Sequence, residues 1–143
     1  MSSYVNFFVE RRGVYIPIGD YSRSNPMYQV LEYVVPYENM VELDEKIYND
    51  GIVEFGLKIK TYENMIKRYE QEIDDIASIN APFNERAERI SEIRNEISEV
   101  KEELDFIKAQ KDQFRFIYSM RDEWSKVKVF VGIEVGDPGY EKE

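Results

Sequence analysis

The sequence predicts an α+β fold with a small antiparallel three-stranded sheet, one short helix, and a long antiparallel two-helix coiled-coil arm inserted before the last strand. Two observations lead to this prediction. Apolar residues recur at alternating steps of three and four over residues 48–76 and again over residues 90–118, which is the spacing of a helix seam. Near both ends of the chain, apolar and polar residues alternate as they do in strands.

The two helical stretches match each other from opposite ends. Tyr48 corresponds to Tyr118 and Ile76 to Ile90, and the seam residues between them pair in the same way. Two antiparallel helices need such a constant register. The segment 51–56 contains two glycines and would also suit a strand. Helix is favoured because the spacing continues through it, and the glycines then indicate a close helix approach or a kink.

The N-terminal part of the chain predicts a strand hairpin. Residues 4–10 are rich in valine and aromatic residues, which favour strands. Gly13 suits a tight turn, and residues 14–18 form the returning strand. Pro17 cannot donate to a ladder, so this strand is predicted to lie at an edge of the sheet.

A polar loop over residues 19–25 and a short helix over residues 26–34 are expected next. Pro26 is favoured at a first helical position, and Ser24 or Asn25 is a suitable N-cap.

The remaining elements follow from the same patterns. The outgoing helix of the arm is expected to begin between Met40 and Asp44 and to end near Ser78, and the returning helix to end near Trp124. The last strand is expected over residues 126–135, where valines alternate with other residues. The predicted domains are a head of residues 1–41 and 126–143 and an arm of residues 42–125, with the tip near residues 79–84.

Composition excludes several classes of site. The chain of 143 residues contains neither cysteine nor histidine. Thiolate and imidazole metal ligands, thiol nucleophiles and the usual general base near neutral pH are therefore missing. Adjacent carboxylates on a helix point apart, so no catalytic pair is predicted either. We expect no enzymatic activity, no metal and no cofactor.

Leader-like and membrane-spanning patterns are not visible in the sequence. The first residues lack a basic stretch followed by an apolar run, and no stretch approaches the roughly 18 apolar residues of a span. The sequence therefore predicts a protein without membrane contact in the cytoplasm of a host cell.

The net charge of −10 is concentrated in the outer part of the predicted arm. Residues 70–105 carry twelve acidic residues and four basic ones. Along the returning helix, glutamates recur at steps of three or four, namely Glu85, Glu88, Glu92, Glu96, Glu99 and Glu103. Such a surface repels nucleic acid and attracts a basic protein surface. The alternative is a solvated helix face that keeps the protein soluble.

Two apolar residues, Ile79 and Phe83, lie at the predicted tip. They either close the seam between the helices or form an exposed anchor for a partner protein, and we include them among the candidate partner-binding residues.

A candidate anion site lies in the loop before the short helix. Hydroxyls, a guanidinium and free amides of a helix start would converge there. Arg11 and Arg12 at the hairpin turn would join them if both loops lie on the same side of the sheet. The alternative is an ordinary capped helix with solvated arginines. The candidate residues are Arg11, Arg12, Ser22, Arg23 and Ser24.

These observations favour a non-catalytic interaction protein. The sharpest hypothesis is a phage or mobile-element accessory protein that binds and inhibits a host nucleic-acid-handling or defence complex through its acidic coiled-coil arm. Surplus apolar residues on the arm also predict a homo-oligomer. The alternatives are a structural or assembly protein that uses the arm to oligomerise, and a binder of a small phosphorylated ligand at the Arg23 loop.

Overall fold

The computed structural model describes residues 3–124 and 126–133, and it has a mixed α+β fold. The elements in chain order are β1 (Ser3–Arg11), β2 (Val14–Ser22), α1 (Pro26–Leu31), β3 (Val41–Glu42), α2 (Glu45–Ala77), α3 (Phe83–Ser119), α4 (Arg121–Trp124) and β4 (Val127–Ile133). They form two compact units. We call residues 1–55 and 109–143 the sheet unit, and residues 56–108 the helical unit.

The antiparallel sheet has four strands in the order β2-β1-β4-β3. The prediction of three strands is wrong because β3 was missed. In β3, Val41 pairs with Val129 and Glu42 with Lys128. A strand of two residues is too short to show alternation, so its sequence carries no strand signal. At the opposite edge, β2 contains Pro17 as predicted, and proline at an edge discourages pairing with further strands.

β2 is longer than predicted because it continues through the supposed loop as far as Ser22. Gly19 pairs with Phe7 and Tyr21 with Val5, after a shift of register between Phe7 and Phe8. A Cβ atom on Gly19 would lie 3.3 Å from the Phe7 ring and 3.0 Å from the Tyr21 ring. Because Gly19 has no side chain, both aromatic rings can lie close to the backbone of β2 at this position.

Local signals at the turn and at two helix starts are confirmed. The two residues between β1 and β2 have positive φ angles, 53° at Arg12 and 78° at Gly13, as the tight turns that suit twisted hairpins require. The Asn25 side chain accepts a hydrogen bond from the Met27 amide at 2.8 Å. Asp44 accepts one from the Ile47 amide at 2.8 Å, which caps α2. α1 ends at Leu31, short of the predicted limit.

The core of the sheet unit consists of one sheet face and the helices packed on it. Val5, Phe7 and Val9 of β1 are buried, as the alternation predicts, and so are Met27 and Leu31 of α1. The valines at positions 127, 129 and 131 of β4 are buried in the same way. This part of the core combines β-branched residues on the sheet with longer side chains from the helix.

Aromatic residues join α2 and α3 within the sheet unit. The rings of Tyr48 and Tyr118 stack with their centroids 3.8 Å apart and their planes within 6°, which confirms the predicted pairing. Phe114 is fully buried, with its ring centroid 5.7 Å from Phe55 and 6.3 Å from Phe7. Residues 51–56 are helical, and a Cβ atom on Gly51 would lie 2.8 Å from the Phe114 ring. Gly51 therefore marks a close approach.

The buried stripe of α3 departs from the predicted seam in the sheet unit. Gln110 and Ile117 are buried there, whereas the predicted positions Lys111 and Tyr118 are half-buried. The Gln110 Oε1 atom has no hydrogen-bond partner. The helix is also interrupted at Met120, between α3 and α4, although the pattern predicted one helix as far as Trp124. Of the predicted last strand, residues 134 and 135 lie outside the described part of the chain.

The helical unit is built on the predicted apolar seams of α2 and α3. Its most buried residues are Ile66, Ile93, Ile97, Val100 and Leu104, with Ile59, Tyr62, Met65, Tyr69, Ile73 and Ile76 packed against them. The Arg86 guanidinium donates to the Ala77 carbonyl at 3.3 Å. This contact joins the start of α3 to the end of α2.

Candidate protein-interaction surface

The six candidate glutamates of α3 are all exposed. With about 3.6 residues per turn, their spacing places them on one side of the buried seam that contains Ile93 and Val100. We call Glu85, Glu88, Glu92, Glu96, Glu99 and Glu103 the acidic flank. The same helical geometry places Arg94 and Lys101 on the other side of the seam. The two sides of α3 therefore differ in charge.

Two of these glutamates have partners within the helical unit. The Arg89 guanidinium donates to Glu92 at 3.2 Å and to Glu72 at 3.0 Å. These hydrogen bonds to Glu92 and Glu72 raise the pKa of Arg89 above its ordinary value. Burial raises the pKa of Tyr62, and the negative charge of nearby Glu103 raises it further.

The other four glutamates of the acidic flank are Glu85, Glu88, Glu96 and Glu99. Within the described residues, none of them has a lysine or arginine nitrogen within 4 Å. Their charges are compensated only by solvent and more distant groups, and they repel one another. A basic protein surface would relieve this repulsion on contact.

The two apolar residues at the tip do not close the seam. Ile79 is 54% exposed and Phe83 is 74% exposed. Phe83 begins α3, so its ring lies at the end of the helical unit where a partner protein could reach it. An exposed aromatic ring supplies apolar contact area that a partner protein can cover.

Arg11 and Arg12 do not join Ser22, Arg23 and Ser24 in the candidate anion site. Arg12 and Ser22 lie at opposite ends of β2, which is about 26 Å long at 3.3 Å per residue. The guanidinium of Arg11 lies over the Trp124 ring at 5.3 Å, while the Ser22 and Ser24 hydroxyls bond to each other at 3.1 Å. The two groups of residues therefore serve separate local contacts.

A groove in the sheet unit escaped the sequence patterns. It has a volume of about 570 Å³, and its walls include Ile18, Tyr21, Asp112 and Phe116. The Tyr21 hydroxyl donates to Gln113 Oε1 at 2.6 Å, and burial raises the pKa of Tyr21. Phe116 is 68% exposed. In the sequence, the groove is indicated by Phe116 alone, an aromatic residue of α3 that lies outside the predicted seam.

The described residues contain neither a cluster of metal ligands nor a helix that could span a membrane. Over residues 3–124 and 126–133, no group of three or more aspartates and glutamates is arranged to hold a metal ion. None of the helices in this part of the chain combines the length and the apolar character that crossing a membrane requires.

No protein-family model, curated protein sequence or solved structure matches the chain. These comparisons therefore supply no activity that could be considered for these residues. The features from which a function can be inferred are the acidic flank, the exposed tip and the groove beside Phe116.

Proposed function

We propose that this chain is a non-catalytic protein-interaction module that binds a basic surface of a partner protein through the acidic flank. The observation that carries the proposal is a row of six exposed glutamates, five of which have no lysine or arginine nitrogen within 4 Å in the described residues. Like charges at steps of three and four weaken a helix slightly. Helix stability therefore does not account for the row, whereas attraction to a basic surface does.

The sharper form of the proposal is a phage or mobile-element accessory protein that inhibits a host nucleic-acid-handling or defence complex in the host cytoplasm. Neighbouring glutamates of the acidic flank are about 4.5 to 6 Å apart along the helix axis. Along one strand of DNA, successive phosphates are separated by about 3.4 Å along the helix axis. A basic groove that holds a nucleic-acid strand would therefore meet a comparable row of negative charges on the acidic flank. Direct binding of nucleic acid is not expected, because these charges repel phosphates.

Oligomerisation through a coiled coil of the helical unit is the second candidate, with a structural or assembly role. The observation that favours it is exposed apolar surface away from the seam, at Leu57 and Phe106. A second copy of the chain would cover such side chains. Sedimentation at micromolar concentration tests this candidate, and a monomer under those conditions would exclude it.

The acidic-flank proposal is tested by charge reversal at two unpaired positions, Glu96→Lys with Glu99→Lys. The matched control is Glu63→Lys with Glu70→Lys, which changes the net charge equally at exposed positions of α2. Each variant and the wild type are immobilised, incubated with a host lysate at low salt, and the retained proteins are identified by mass spectrometry.

We expect basic proteins that are retained by the wild type and the control to be lost from the acidic-flank variant and to elute as salt is raised. Circular dichroism checks that all three proteins keep their helices. An identical set of retained proteins for all three would rule the acidic flank out as the binding surface.

A further inference from the structure

We draw no further inference here: the strongest candidate, the groove of the sheet unit between β2 and α3 beside the exposed Phe116, is an open apolar surface, and nothing in the described residues shows what covers it.

Discussion

Gly51 and Gly56 are both glycines inside α2, yet their surroundings differ. A Cβ atom on Gly51 would lie 2.8 Å from the Phe114 ring, whereas nothing lies within 4 Å of a Cβ atom on Gly56. Phe114 cannot easily move, because it is fully buried and packed against other aromatic rings. One glycine is therefore required by packing and the other is not.

We expect Gly51→Ala and Gly56→Ala to change stability in opposite directions. Overpacking against Phe114 should lower the free energy of unfolding by about 1–3 kcal/mol in Gly51→Ala. Gly56→Ala should raise it by about 1 kcal/mol, because alanine is the better helix former. Urea unfolding followed by circular dichroism measures both. Equal effects of the two substitutions would contradict the close approach at Gly51.

At the scale of elements, the long helices were the most predictable part of the molecule. Their seams extend over many turns, so a single exception does not hide the period. The seam predicted Tyr48 opposite Tyr118, and their rings stack. The same extrapolation failed at Lys111, since an α-helix has 3.6 residues per turn and a strict alternation of three and four drifts around it. Gln110 takes the buried position instead.

Gln110 is the polar residue in the buried stripe of α3, and its replacement tests that position. Its side chain is 6% exposed and its Oε1 atom has no hydrogen-bond partner. Removal of a buried, unpaired polar atom should raise the free energy of unfolding, so we expect Gln110→Leu to stabilise the protein by about 1–3 kcal/mol. Urea unfolding gives the value.

The control for Gln110→Leu is Gln113→Leu. It makes the same replacement in α3, but at an exposed residue that accepts a hydrogen bond from Tyr21. This variant should gain nothing. If Gln113→Leu stabilised the protein and Gln110→Leu did not, the prediction that the buried Gln110 amide lowers stability would be wrong.

The less predictable elements depend on partners distant in sequence. β3 has two residues and forms only because β4 supplies its ladder. The end of β2 reads as a polar loop, and it becomes a strand because Val5 and Phe7 pair with it. Among the candidate site residues, the exposure of the acidic glutamates followed from helical spacing. The separation of Arg12 from Ser22 could not be predicted in this way. The sequence predicted a strand that ends at residue 18, whereas β2 continues to Ser22 and keeps the two residues at its opposite ends.

At the scale of the whole molecule, charge is the dominant property. The chain carries 29 acidic and 19 basic side chains. A net charge this far from zero favours solubility and opposes compaction through self-repulsion. The described residues contain three ion pairs, all on partly exposed side chains, and such pairs contribute little. Electrostatics therefore tends to destabilise the folded chain at low ionic strength.

We expect the thermal unfolding midpoint at pH 7 to rise when sodium chloride is increased from 10 mM to 150 mM. The Debye length falls from about 30 Å to about 8 Å over this range, which screens the repulsion. Circular dichroism measures the midpoint. The control variant carries Glu99→Gln and Glu102→Gln, and its midpoint should depend less on salt. An equal or lower midpoint at 150 mM for the wild type would contradict net self-repulsion.

The Tyr48–Tyr118 stack has an optical consequence. Two parallel aromatic rings 3.8 Å apart couple their electronic transitions, so the pair should contribute a distinct near-ultraviolet circular dichroism signal. The sole tryptophan, Trp124, also belongs to the sheet unit and lies under the Arg11 guanidinium. Both chromophores therefore report on the sheet unit, and far-ultraviolet helicity reports on α2 and α3. Spectroscopy of the unlabelled protein can thus follow melting of the sheet unit separately from total helix loss.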